Sequence, residues 1–146
     1  MKTLLLILLF PALSLGQSIS VSPTSFQFWG MAKQTSLIEA EYKNFSAVAL
    51  YAHQSYVDPQ GAEYKGLYPA IFYSPIQVGN RFYLKGSTGI FMRKYPTDNG
   101  QRVHFRLQAG FTIGKFSIEY SHISNGFGLL GKFNAGVDNI SIRFKL

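Results

Sequence analysis

The chain contains no cysteine, which excludes a disulfide framework and a lipoprotein-type export signal. Charge is also scarce. Only 14% of residues are charged, and the seven acidic side chains are half as many as the fourteen basic ones. Beyond residue 16 there is no unbroken run near the ~20 apolar residues that a helix needs to cross a bilayer, so a helical membrane span is excluded there. A single tryptophan stands beside thirteen phenylalanines and nine tyrosines. Together these features leave one membrane solution open: a closed β-barrel, whose strands alternate apolar and polar and bring the average hydropathy near zero. The mean hydropathy is +0.05.

The N-terminus reads as a signal peptide. Lys2 precedes the apolar run Leu4 to Leu9, and Ser14-Leu15-Gly16 supplies the small residues that a signal peptidase reads. Cleavage is expected after Gly16, so residues 1–16 are the signal and residues 17–146 one domain. That domain keeps thirteen basic side chains against seven acidic ones. An exported basic protein points to an anionic polysaccharide or an anionic lipid surface and away from nucleic acid.

A two-residue period, the mark of a strand, runs through several segments. Ile38, Ala40 and Tyr42 alternate with Glu39, Glu41 and Lys43. Residues 81–93 and 103–113 behave alike, with Phe82, Leu84 and Ile90 on one face of the former and Phe105, Leu107 and Phe111 on one face of the latter. Segments 25–34, 46–56, 66–74, 115–125 and 138–146 bring the expectation to eight strands. The clearest match the ~9–11 residues of a membrane-crossing strand rather than the ~5–6 of a soluble one. The expected fold is all-β: an eight-stranded antiparallel transmembrane β-barrel of the bacterial outer membrane.

The connections fit. Short turns are expected at Asn44-Phe45-Ser46, at 75–80 and at Gly114-Lys115, and longer outer links at 57–65, 95–101 and 126–137, with 34–36 a short exception. Eight strands enclose room only for their own side chains. Glu39, Glu41, Lys43, Arg81, Lys85, Arg93 and Arg106 are expected to pair inside, so function belongs to the outer wall or the loops. Trp29 and the tyrosines read as interfacial anchors.

The chemistry gathers near the C-terminus. His122 and Ser124 share one face of a strand, continuing the apolar row Phe116, Ile118 and Tyr120. Asp138 opens the next strand, whose same-face row is Ile140, Ile142, Phe144 and Leu146. Paired antiparallel, the two strands bring Asp138 within reach of His122. A serine hydroxyl becomes a nucleophile when an adjacent base takes its proton and a third group fixes that base. Asn134, with backbone N–H groups of the glycine-rich loop, would serve the oxyanion. On the residues alone, the same groups also read as interfacial polar caps of a strand. His53 and His104 lack metal-ligand spacing and read as structural, His104 facing the lumen.

The motifs His122-Ile123-Ser124-Asn125-Gly126 and Asn134-Ala135-Gly136-Val137-Asp138, followed by a last strand, resemble the outer-membrane lipid A 3-O-deacylase (PagL) family. The likeness covers residues 116–146; size, signal and strand count agree over the rest. It implies a serine esterase removing a 3-hydroxyacyl chain from lipopolysaccharide, with His122 as general base, Ser124 as nucleophile, Asp138 where the family usually has glutamate, Asn134 as oxyanion donor, and Asn125 and Gly126 shaping the loop. The chemistry implied needs no metal or cofactor. Two departures stand out: aspartate is one methylene shorter than glutamate, and the loop 127–133 is longer than usual. Basic loop residues Lys65, Lys94, Arg102 and Lys132 are expected to meet lipid A phosphates; a homodimer is left open. Two alternatives remain: an outer-membrane phospholipase A, with Asn134 as third triad member but a larger barrel than 130 residues supply, and a non-catalytic small barrel for adhesion or membrane integrity.

Overall fold

Side chains of alternate character leave an extended chain on opposite sides, so the pattern decides at once where the strands lie and which way each residue points. The computed structural model describes residues 17–23, 25–26, 35–57, 63–93, 102–124 and 137–146. The strands are β1 (Ser18–Ser22), β2 (Ser25–Phe26), β3 (Thr35–Tyr42), β4 (Phe45–Val57), β5 (Glu63–Val78), β6 (Phe82–Phe91), β7 (Val103–Ile113), β8 (Phe116–Ser124) and β9 (Val137–Lys145). From β3 to β9 each pairs antiparallel with the next. β1 bridges β3 and β9, and β2 continues along β9. β1 and β2 thus fill one position in the wall. The result is the closed, eight-stranded, antiparallel barrel that the periodicity predicts.

The outside is apolar all round. Val21, Ile38, Ile71, Leu84, Ile90, Leu107, Ile118 and Ile142 all point away from the barrel. At the end with the tight turns the outer face becomes aromatic. Phe45 packs on Tyr73 with ring centroids 5.0 Å apart, Phe82 on Phe111 at 4.5 Å, and Phe116 on Phe144 at 5.0 Å. Cations lie over rings of the same girdle: Lys43 over Tyr42, Arg81 over Phe111 and Lys115 over Phe144.

The inside divides by height. In the turn-end half the lumen is charged. Arg143 bonds Glu39, Glu41 and Glu119, Arg106 bonds Glu39 at 2.9 Å, and Lys85 bonds Glu41 at 2.6 Å. The loop-end half is a small apolar core of Leu37, Val48, Leu50, Tyr68, Phe72, Phe91, Ile123 and Val137. The alternation that marks β3 and β6 does not announce this core, because β4 and β5 carry apolar residues on both faces.

Two lumenal rings lie over glycine. Phe72 stands opposite Gly89 in the β5–β6 register, and Tyr83 opposite Gly110 in β6–β7. A Cβ at Gly89 would come within 2.4 Å of the Phe72 ring, and one at Gly110 within 2.3 Å of the Tyr83 ring. Here glycine supplies space rather than a turn.

Several expectations need correction. The first strand was expected at 25–34 but begins at Ser18; Ser18, Ser20 and Ser22 face inward, and their small side chains disguise the alternation. Residues 27–34, including Trp29, lie outside the described set. The turn expected at Asn44-Phe45-Ser46 is Lys43-Asn44, with Lys43 at φ 52°. Phe45 already belongs to β4, where it joins the aromatic girdle. The 75–80 turn shrinks to Gly79-Asn80-Arg81, because β5 continues through a bulge between Tyr73 and Ile76. That bulge accommodates Pro75, whose missing N–H would break a regular ladder. Finally, Lys43, Arg81 and Arg93 are exposed at the barrel ends rather than paired inside. Glu119 and Arg143 take their place in the lumenal network. The Gly114-Lys115 turn lies where expected. The outer links fall largely outside the described residues, as does the expected signal peptide.

Candidate functional site

β8 and β9 are extended because both alternate strictly. In β8, Ser117, Glu119, Ser121 and Ile123 face the lumen, while Phe116, Ile118, Tyr120, His122 and Ser124 face outward. In β9, Val137, Asn139, Ser141 and Arg143 face inward, and Asp138, Ile140, Ile142 and Phe144 outward. The register sets His122 directly opposite Asp138. Both lie at the end away from the tight turns. On the other flank of β8, Leu107 pairs with His122 and Phe105 with Ser124, and both apolar side chains are exposed.

The structure brings together the imidazole and the carboxylate. His122 Nδ1 lies 2.8 Å from Asp138 Oδ1. The carboxylate can only accept, so Nδ1 carries the proton and Nε2 is the basic nitrogen. Asp138 points outward yet is only 7% exposed; β8 runs along one side of it and β2 along the other. A carboxylate withdrawn from water beside apolar surface requires donors, and among the described residues it has two. Besides His122, the Tyr120 hydroxyl donates to the same Oδ1 at 2.5 Å. Apart from Tyr120, His122 and Asp138, no outward position of β7, β8 or β9 bears an ionisable side chain.

Ser124 is one outward position beyond His122 and 8% exposed. Alternate residues of a strand are about 6.8 Å apart, a spacing that an imidazole and a hydroxymethyl group are long enough to span. Asn125, Gly126 and Asn134 lie outside the described residues.

Tyr120 was not among the residues expected to act. Its only signal is position: two residues before His122 on the same face, diagonal to the residue opposite His122. A second serine–histidine pair also went unanticipated. Ser36 Oγ lies 2.7 Å from His53 Nε2 on the outward face of β3 and β4, and also donates to the Pro23 carbonyl at 2.7 Å. Proton bookkeeping separates this pair from a nucleophile and its base. A carbonyl only accepts, so the single hydroxyl proton of Ser36 goes to Pro23, and His53 must donate to Ser36. The contact ties the segment after β1 to β3 and β4. His104 is lumenal, as expected, with its ring edge-on to Phe91 at 4.8 Å.

No family model, no curated protein and no solved structure matches the chain.

Proposed function

We propose that the protein is an outer-membrane serine esterase that hydrolyses an ester-linked 3-hydroxyacyl chain of lipid A. The observation that carries this reading is the 2.8 Å bond between His122 Nδ1 and Asp138 Oδ1 on the outward wall, with Ser124 next on the same face. An oriented imidazole beside a serine is the arrangement that acyl transfer needs. Its setting supplies the substrate class. Phe105 and Leu107 border the site, and the outer wall below it is continuously apolar, which suits acyl chains lying against the barrel. An eight-stranded barrel with an apolar exterior and an aromatic girdle is also consistent with residence in the outer membrane.

In the proposed reaction, Ser124 Oγ attacks the ester carbonyl carbon while His122 Nε2 takes the hydroxyl proton. The C–O bond to the sugar oxygen breaks as His122 returns that proton to it, leaving the acyl group on Ser124. Water, deprotonated by the same nitrogen, attacks the acyl carbonyl; the bond to Ser124 Oγ breaks as His122 returns the proton to it, and the 3-hydroxy acid leaves. Asp138 keeps the imidazole in the tautomer that leaves Nε2 unprotonated for this work. The lumenal charges take no part, because the filled interior separates them from the outer wall.

The test is mass spectrometry of lipid A from cells expressing the wild type, Ser124→Ala and, as a control, His53→Ala. Loss of one hydroxyacyl chain is expected with the wild type and His53→Ala but not with Ser124→Ala. Identical lipid A from wild type and Ser124→Ala would refute the assignment and favour a non-catalytic barrel.

A further inference from the structure

We infer that the Tyr120 hydroxyl is a positioning group that acts through Asp138, making the site a four-membered relay of Tyr120, Asp138, His122 and Ser124. This rests on the esterase reading. Two donors converge on one oxygen of Asp138: Tyr120 Oη at 2.5 Å and His122 Nδ1 at 2.8 Å. They come from the same strand, two residues apart, and approach a carboxylate that reaches over from β9.

A lone contact with the imidazole would leave the Asp138 carboxylate free to turn about its side-chain bonds, and His122 would turn with it. The phenol removes that freedom. Its ring stands in the outward apolar row between Ile118 and His122, so the hydroxyl meets the acid from a position set by the strand. The contact also suits the short side chain of aspartate. A carboxylate this close to its own backbone has little reach, and a donor on the diagonal neighbour fixes it at the one place where the imidazole can use it. On the outward faces of β7, β8 and β9, the remaining neighbours of His122 are Leu107, Phe105 and Ile140, which carry no charge. Apart from His122 itself and Ser124, the proposed nucleophile, no other outward side chain of these strands carries a donor.

The experiment compares the full-length protein with Tyr120→Phe, which keeps the ring and removes only the donor. Steady-state hydrolysis of a medium-chain nitrophenyl ester and the rate of Ser124 labelling by a fluorophosphonate are both measured in detergent micelles. The expected result is a fall in kcat and in labelling rate of about tenfold, the scale of one hydrogen bond to a charged group. KM should change less than twofold, and heat-dependent gel mobility should stay that of a folded barrel. A wild-type kcat in Tyr120→Phe would overturn the inference, as would a loss expressed in KM alone. Failure of the underlying reading looks different: a wild type that neither hydrolyses the ester nor takes the label removes the esterase and the relay together. A wild type active on the ester but inert toward lipid A removes only the substrate, leaving the role of Tyr120 intact.

Discussion

Asp138 is the residue on which the proposed chemistry turns, because a carboxylate on an outward wall has no structural reason to be there unless something needs it. Asp138→Asn keeps the shape but offers an amide in place of an acceptor with full charge, and the imidazole can settle in the wrong tautomer. Lipid A deacylation is expected to fall about 10³–10⁴-fold, as loss of the orienting acid does in other serine hydrolases. Asp138→Glu should retain activity, since Asp138 lies directly opposite His122 and the longer side chain can still find Nδ1. Time courses of 3-hydroxy acid release from lipid A separate the two. That His122 and Asp138 share the outward face of neighbouring strands was legible from parity and strand order; that they stand directly opposite was not. Tyr120 was not, because a tyrosine in an outward row looks like any other aromatic anchor until its hydroxyl is seen to find the acid.

At the scale of elements, the glycines opposite large rings make the interior fit. Gly110→Ala would press a methyl group into the Tyr83 ring, whose hydroxyl is held by Glu119. The ring cannot swing away without losing that partner. Overpacking of this kind costs about 1–3 kcal/mol, to be read from urea titration of the folded barrel in micelles. Gly86, which has open space around it, should accept the same change with little loss. Outward positions test the membrane in turn. Ile71 lies near the middle of β5 and is 48% exposed. If the wall faces hydrocarbon, Ile71→Lys should cost about 2–4 kcal/mol of folding into a bilayer. The same change in a barrel surrounded by water would be close to neutral, so equal stability in liposomes would contradict insertion. The strands themselves were readable from periodicity. Their ends were less so, since a turn was expected at 75–80 where a bulge lets β5 continue to Val78.

For the molecule as a whole, the lumen is a plug. Arg143 is 7% exposed and bonds three glutamates. Arg143→Met would strand them without their common partner, and breaking a buried ionic set from one side costs about 3–5 kcal/mol. The unfolding midpoint in urea should fall accordingly, while the outward site, built on the other side of the wall, should keep its ester hydrolysis at concentrations where the barrel remains folded. With the turn-end half closed by charge pairs and the loop-end half by Leu50, Phe72 and Phe91, no ion current is expected from the protein in a planar bilayer. Steady single-channel steps would show that the interior opens.

Within the regular stretches, sequence alone was enough to settle parity. There, whether a residue faces the inside or outside of the barrel wall follows from counting by twos; the count fails at the bulges of β4 and β5 and at the strand ends, where Lys43, Arg81 and Arg93 turn out to be exposed. Register, and everything that depends on contact across strands, required the fold. The seating of His122 against Asp138, the reach of Tyr120 to the same oxygen and the gathering of Arg143 with Glu39, Glu41 and Glu119 join residues from 16 to 104 positions apart. The meetings within β8 and β9 are decided by the register of that hairpin, and those of Arg143 with Glu39 and Glu41 by closure of the sheet, which links the first and last strands.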